Sequence, residues 1–255
     1  MKIAAISDLH IGPRPGTDAF GHQDGAFAAF LDALLVWADV VVLLGDVWQA
    51  DHGLRRGPAA EAAQLHAARA RSPWLTDRLR DPKLRLVHGN HDRIAREELG
   101  AATALRLGPP GQEVLLSHGD AWDAVIDKAP LLSATGTWIC GRLRGAGLPG
   151  VADALEHHDV EIKAQRVHAP GGPTLRSAHA AARAAGVPML VMGHTHVNLD
   201  DSLEVDGHRT RVLNTGTCSR GRWSGVAIDL SRGAAATVAD AAGWRRVTEG
   251  AVCPR

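Results

Sequence analysis

The chain has 255 residues, 45% of them hydrophobic, and its 28 basic and 28 acidic side chains cancel. That is enough apolar material for a sizeable core in one large domain or two small ones, and it argues against a disordered chain. Zero net charge gives no reason to expect a polyanion-binding protein, although a local basic patch is compatible with it. The three cysteines, Cys140, Cys218 and Cys253, form neither a disulfide framework nor a CxxC site, which favours a reducing, cytoplasmic compartment.

The N-terminal MKIAAISDLH is apolar for only a few residues and reads as a first strand over 2–7, not a signal peptide. Helical spacing follows over 25–37, then the apolar run DVVVLL over 39–44 predicts a second strand. An Ala-rich helix is expected over 58–79, with Pro58 in its first turn. Strands are expected over 84–87 and 114–117. Residues 120–173, with Trp122, Trp138, Ile139, Leu143 and Leu148 among glycines and arginines, break the rhythm and read as a mostly helical insertion. A helix over 174–185, closed by Gly186 and Pro188, leads to strands over 187–192, 211–214 and 225–230. No apolar run approaches the roughly 20 residues that span a bilayer. Strands alternating with helices imply an α/β sandwich, whose ligands gather beyond the carboxyl ends of its strands.

Five short stretches fall at those ends: Asp8-Leu9-His10, Gly45-Asp46, Gly89-Asn90-His91-Asp92, His118-Gly119-Asp120 and Gly193-His194-Thr195-His196. They offer two carboxylates, one amide and four imidazoles, enough for two metal ions. Such mixed ligands suit Mn, Fe, Zn or Co better than Mg or Ca. Two divalent ions less two carboxylates leave a cationic site that favours a phosphate anion. Asp8 and His10, two apart on an extended segment, are expected to project to one side, as are His194 and His196. Gly45, Gly89, Gly119 and Gly193 are expected to let the backbone turn sharply. Any one stretch has a bland reading; GHTH alone could be a loop of solvated histidines. His66, His88, His157, His158, His168 and His179 read as surface or structural. His22 and His52 are open between structural and substrate-lining roles. Core packing is the reading for Trp48 and Trp122, and Asp92 and Asp120 are expected to orient histidines.

As an ordered set, DLH, GD, GNHD, HGD and GHTH resemble the calcineurin-like metallophosphoesterase superfamily. The resemblance spans residues 8–196. It implies a single domain over 1–255 with a four-layer α/β/β/α sandwich, and a helical cap at 120–173. It also implies a metal-bridged hydroxide attacking a phosphodiester, pyrophosphate or phosphomonoester. Asp8, His10 and His196 would hold one ion and Asn90, His118 and His194 the other. Asp46 would bridge them, with Mn the first expectation for both. His91 would be the catalytic histidine.

The short chain, the insertion after His118 and the VLNTGT run at 212–217 resemble UDP-2,3-diacylglucosamine hydrolases, so a lipid-linked substrate and peripheral membrane contact are compatible expectations. Those enzymes commonly carry Arg where this chain has His91. Protein phosphatases of the superfamily place an acid three residues after the bridging Asp, where this chain has Gln49. A nuclease or general phosphodiesterase, and a non-catalytic metal-binding scaffold, stand as alternatives. The sequence does not specify an oligomeric state.

Overall fold

The computed structural model describes residues 1–13, 18–53, 55–123, 130–167 and 172–249. His168 and parts of the expected cap, 124–129 and 168–171, lie outside them. In chain order the elements are β1 (Lys2–Ile6), α1 (Asp24–Trp37), β2 (Val40–Leu44), α2 (Pro58–Arg71), α3 (Pro73–Arg78), β3 (Leu84–Val87) and α4 (Ala95–Leu99). Then come β4 (Ala104–Leu107), β5 (Val114–Ser117), α5 (Pro130–Gly145), α6 (Pro149–Val167), α7 (Pro173–Ala184) and β6 (Met189–Met192). The chain closes with β7 (Asn198–Val205), β8 (His208–Thr215), β9 (Gly225–Asp229), β10 (Ala234–Val238) and α8 (Ala241–Thr248).

The strands form two five-stranded sheets, ordered β10-β9-β1-β2-β3 and β4-β5-β6-β8-β7. β1, β2 and β3 run parallel, as do β5, β6 and β8. The antiparallel strands lie to the sides. Alternation along the strands builds the layers. Ile3, Ala5, Val42 and Leu44 face Val114, Leu116, Val191 and Leu213 between the sheets. Ala4, Ile6, Val41 and Leu43 face the opposite way and pack with Phe27, Leu31 and Leu34 of α1 and Leu65 of α2. On the far side α7 lays Leu175, Ala178 and Ala182 on Leu190 and Val212. The result is the α/β/β/α order of layers.

The single helix expected over 58–79 is two helices. Pro73 cannot donate its backbone nitrogen, and Ser72 leaves the helical region at φ −117°, ψ 61°, so the chain breaks there and restarts. Three strands carry too weak a pattern to be foreseen. β7 alternates acids with apolar residues on a mostly exposed edge, β10 is Ala-rich, and β4 is a four-residue edge. The insertion is helical within the described residues: α5 and α6 pack on each other, and Arg144 of α5 binds Glu156 and Asp153 of α6. A Cβ on Gly141 would lie 2.8 Å from the carbonyl oxygen of His52, so α5 sits directly against the loop after β2.

Candidate metal centre

The parallel strands of both sheets deliver their carboxyl ends to one place, and backbone pairing continues past them. Asp8 N–H donates to Gly45 O and His10 N–H to Asp46 O, both at 3.0 Å, and Gly193 N–H donates to His118 O at 2.9 Å. The segments there are not extended, contrary to the expectation from spacing. Asp8, His10, Asp46, His194 and His196 all have left-handed backbones, with φ between 52° and 68°. Such conformations cost about 1–3 kcal/mol each for a non-glycine residue and persist only where the surroundings over-determine them. Among the described residues only Asp206 and Arg220 share this property outside the five. The side chains therefore converge through successive tight turns.

Of the four glycines expected to turn the chain, Gly45 and Gly119 have positive φ, and Gly89 and Gly193 do not. The latter two provide room instead. A Cβ on Gly89 would lie 2.6 Å from Asp46 N and collide with its Oδ1, and one on Gly193 would lie 2.8 Å from Asp8 Oδ2.

Six of the seven residues expected to bind metal fall into two groups, and Asn90, the seventh, adjoins His91 on the loop whose N–H groups bond Asp46 and Asp92. Asp8, His10 and His196 offer ligand atoms within 4.8 Å of one another, and so do Asp46, His118 and His194. Asp46 also groups with His10 and His91, which places it on both sides of the centre. His196 Nε2 lies 3.1 Å from Asp8 Oδ1, and His118 Nε2 lies 3.1 Å from Asp46 Oδ2. Three buried atoms here make no hydrogen bond: Asp8 Oδ1, Asn90 Oδ1 and His118 Nε2. An unsatisfied buried polar atom costs about 1–3 kcal/mol. Imidazole nitrogens and carboxylate oxygens brought to 3.1 Å without a well-formed hydrogen bond, beside an amide oxygen buried without a partner, are a donor set that divalent cations would satisfy, so these residues fit such a group.

The surrounding bonds hold the ligand atoms in place. His10 Nδ1–H donates to Gln49 Oε1 at 2.7 Å and His118 Nδ1–H donates to Leu44 O at 2.9 Å, so each ring turns Nε2 inward. His194 Nε2–H donates to Asp123 Oδ2 at 2.9 Å. Such outer bonds fix the tautomer and orientation of metal-binding imidazoles. Ser7 Oγ donates to Asp8 Oδ2. Asp92 and Asp120 do not orient histidines as expected. Asp92 accepts from the N–H groups of Val47 (2.8 Å), Trp48 (3.2 Å) and Gly89 (2.6 Å), tying the Asp46 loop to the Asn90 loop. Asp120 pairs with Arg93 at 2.9 Å.

His91 has an acidic partner that the sequence reading did not single out. Its Nδ1–H reaches Asp51 Oδ2 at 2.9 Å and Oδ1 at 3.1 Å. Gln49 Nε2 donates to the same Asp51 Oδ1 at 2.9 Å. One amide thus orients His10 through its oxygen, while its nitrogen lies against both Asp51 Oδ1 and His91 Nδ1, each at 2.9 Å. Burial disfavours the charged imidazole of His91, but Asp51 and Asp46 outweigh it and raise its pKa to about 10. For His10 burial prevails and the pKa falls to about 4. Burial opposes ionisation of Asp8, yet His196 and His118 hold it down at about 2.

Of the two open histidines, His22 is structural: its Nε2–H donates to Cys218 O, and its ring packs on Phe20, Phe27 and Trp223. His52 lies between His91, with ring centroids 6.1 Å apart, and α5. His179 is satisfied by Thr210 and Asp201, and Trp48 is fully buried in the core.

A family model described as calcineurin-like phosphoesterase matches residues 1–198. A UDP-2,3-diacylglucosamine hydrolase of Pseudomonas paraeruginosa is 29% identical over 241 residues, covering 88% of this chain and 94% of the relative. One of Bordetella pertussis is 29% identical over 239 residues, covering 85% and 88%. A predicted phosphoesterase from Streptococcus pneumoniae TIGR4 superposes with a TM-score of 0.42 at 15% identity, over 93% of this chain and 97% of that one. No helix among the described residues is long and apolar enough to cross a membrane. With a family match over residues 1–198 and hydrolase relatives along most of its length, the chain belongs to the calcineurin-like phosphoesterases and is a phosphoric ester hydrolase.

Proposed function

We propose that this protein is a binuclear metal-dependent phosphoesterase whose preferred substrate is a lipid-linked nucleoside diphosphate sugar of the UDP-2,3-diacylglucosamine kind. The observation that carries the metal reading is a set of clustered carboxylates and imidazoles in which Asp46 belongs to two groups and Asp8 Oδ1, Asn90 Oδ1 and His118 Nε2 are buried without a hydrogen bond. Asp8, His10 and His196 would hold one ion, Asn90, His118 and His194 the other, and Asp46 both. Two bound divalent ions, with Mn the first candidate and Fe, Zn or Co also suited, would supply Lewis-acid activation of the phosphoryl group and of water.

The chain's own residues do the rest. Asp46 and Asp8 are held ionised and limit the site's positive charge. His91, kept protonated by Asp51, donates from Nε2 to the leaving-group oxygen and takes a proton back from water afterwards. Gln49 holds Asp51 in line for this.

The substrate reading rests on the named relatives and on the insertion. Ile139, Leu148, Val151 and Leu155 are large apolar side chains left exposed, all on α5, α6 or the turn between them. Leu148, Val151 and Leu155 follow one another at helical spacing and make one stripe, suited to an acyl chain or a membrane surface. Trp138 and Leu143 are half-buried instead, and Trp138 lies beneath the guanidinium groups of Arg56 and Arg142. The buried free thiol of Cys218 is in keeping with a reducing, cytoplasmic setting.

The test is hydrolysis by Mn²⁺-loaded protein of UDP-2,3-diacylglucosamine, bis-p-nitrophenyl phosphate, p-nitrophenyl phosphate and single-stranded DNA. Preference for the UDP-lipid upholds the proposal. Turnover of the small diester without the lipid reassigns the protein as a general phosphodiesterase, and preference for DNA as a nuclease. Silence on all four with two ions bound makes it a scaffold.

A further inference from the structure

Arg220 lies on the loop after β8, three residues beyond Thr217, whose hydroxyl donates to Asp8 O at 3.0 Å. It has a left-handed backbone at φ 54°, and its N–H donates to Ala19 O at 2.6 Å. The loop thus holds an arginine in a conformation that favours glycine, beside the metal centre. Its guanidinium crosses to the helical insertion and meets Glu156 Oε2 at 2.7 Å and Asp153 Oδ1 at 3.4 Å.

Those two acids are already served. Arg144 binds Glu156 through both carboxylate oxygens, at 2.5 and 2.8 Å, and Asp153 at 2.6 Å. Arg144 has a side chain 1% exposed, against 32% for Arg220. Two cations and two anions make a neutral quartet in which one arginine is locked and the other accessible. If Arg220 leaves, Glu156 and Asp153 keep all their bonds to Arg144 and no buried charge is stranded. Half-exposed ion pairs of this kind are cheap to break. The quartet also overlooks the chemistry, because Glu156 is close enough to His10, His52 and His91 to act on their charge.

We infer that Arg220 is a specificity-determining residue that exchanges Glu156 and Asp153 for a second phosphoryl group on the substrate, next to the one held at the metal centre. This rests on the phosphoesterase reading. The planar guanidinium fork matches phosphate oxygens as well as carboxylates, and a phosphoryl group carries more charge than either acid. Arg144 cannot play this part, since moving it would strand both acids. A substrate with a single phosphoryl group has nothing to offer Arg220 and leaves the quartet closed.

The test is calorimetric titration of the Mn²⁺-loaded full chain with UDP and with UMP, which differ by that second group. Arg220→Ala is expected to weaken UDP roughly 10- to 100-fold, the range for a charge-assisted bond, and UMP less than about 3-fold. Glu156→Gln removes the competitor and is expected to tighten UDP. A merely structural clasp between insertion and body predicts the same sign for both variants, so weakening of UDP by Glu156→Gln overturns the inference. Equal effects of Arg220→Ala on UDP and UMP do so as well. If Glu156→Gln disturbs the fold by circular dichroism, Asp153→Asn takes its place, because Arg144 then retains both bonds to Glu156. Turnover of bis-p-nitrophenyl phosphate by the unmutated protein judges the phosphoesterase reading separately, since the calorimetry requires no catalysis.

Discussion

Asp51→Asn isolates the role assigned to His91. The carboxylate accepts from His91 Nδ1 at 2.9 Å and is among the largest influences raising that imidazole to about 10. An amide keeps the size and can still accept a hydrogen bond, but it no longer stabilises the cation. A hydrogen bond involving a charged group contributes about 1.5–3 kcal/mol, or roughly 10- to 150-fold in rate if expressed fully in the transition state. The loss should depend on the leaving group. p-Nitrophenolate departs with little protonation, so a diester with an alkyl alcohol leaving group should lose more than bis-p-nitrophenyl phosphate. The sign of the pH effect follows from the same charge. His91 acts as an acid while protonated, so activity falls as pH rises through its pKa; removing Asp51 lowers that pKa, and the alkaline limb should move to lower pH. Metal content, measured by atomic absorption, should stay at the unmutated level, because Asp51 is two bonds removed from the metal groups by way of Gln49 and His10. A loss equal for both leaving groups, with unmoved pH limbs, would refute the general-acid role. Loss of bound metal would instead make Asp51 a support for His10.

Gly89→Ala should abolish two-metal binding, since the new methyl group would collide with Asp46 Oδ1 and lie 2.6 Å from its backbone nitrogen; a titration showing two ions bound normally would contradict the geometry. Added Mn²⁺ should raise the melting temperature of chelator-treated protein, because binding at 100 times the Kd stabilises by about 2.7 kcal/mol per site; an unmoved transition in differential scanning calorimetry would count against a built centre. Leu148→Ser should raise KM for UDP-2,3-diacylglucosamine while sparing bis-p-nitrophenyl phosphate, as Leu148 is half exposed and its replacement leaves no core cavity; an equal loss on both substrates would place its effect in the fold.

What the sequence made legible, and what it hid, divide along a physical line. The candidate metal residues could be read because they follow strands with their own local pattern: Asp8 after IAAIS, Asp46 after VVVLLG, His194 after MLVMG. Parallel strands bring their carboxyl ends together whatever the loops do, so position along the chain predicts position in space. Asp51 and Asp123 follow no strand directly. Asp51 meets His91 across 40 residues and Asp123 meets His194 across 71, through irregular segments whose course no periodicity encodes. Gln49, the amide where phosphatases of the superfamily place an acid, does reach His91, with Nε2 2.9 Å from Nδ1, but it brings no charge. Its oxygen orients His10, and the carboxylate for His91 comes from two residues further on. The left-handed turns at Asp8, His10, Asp46, His194 and His196 were equally hidden, because Asp and His, though they enter that region more readily than most residues, still adopt it in only a small fraction of cases. Those turns deepen the argument for the centre. Five residues in left-handed conformations, grouped side chain to side chain and accompanied by three buried atoms without hydrogen bonds, make a costly arrangement for an empty structural core. On the proposed reading, binding of cations would supply the missing free energy, and the chelator experiment measures that term.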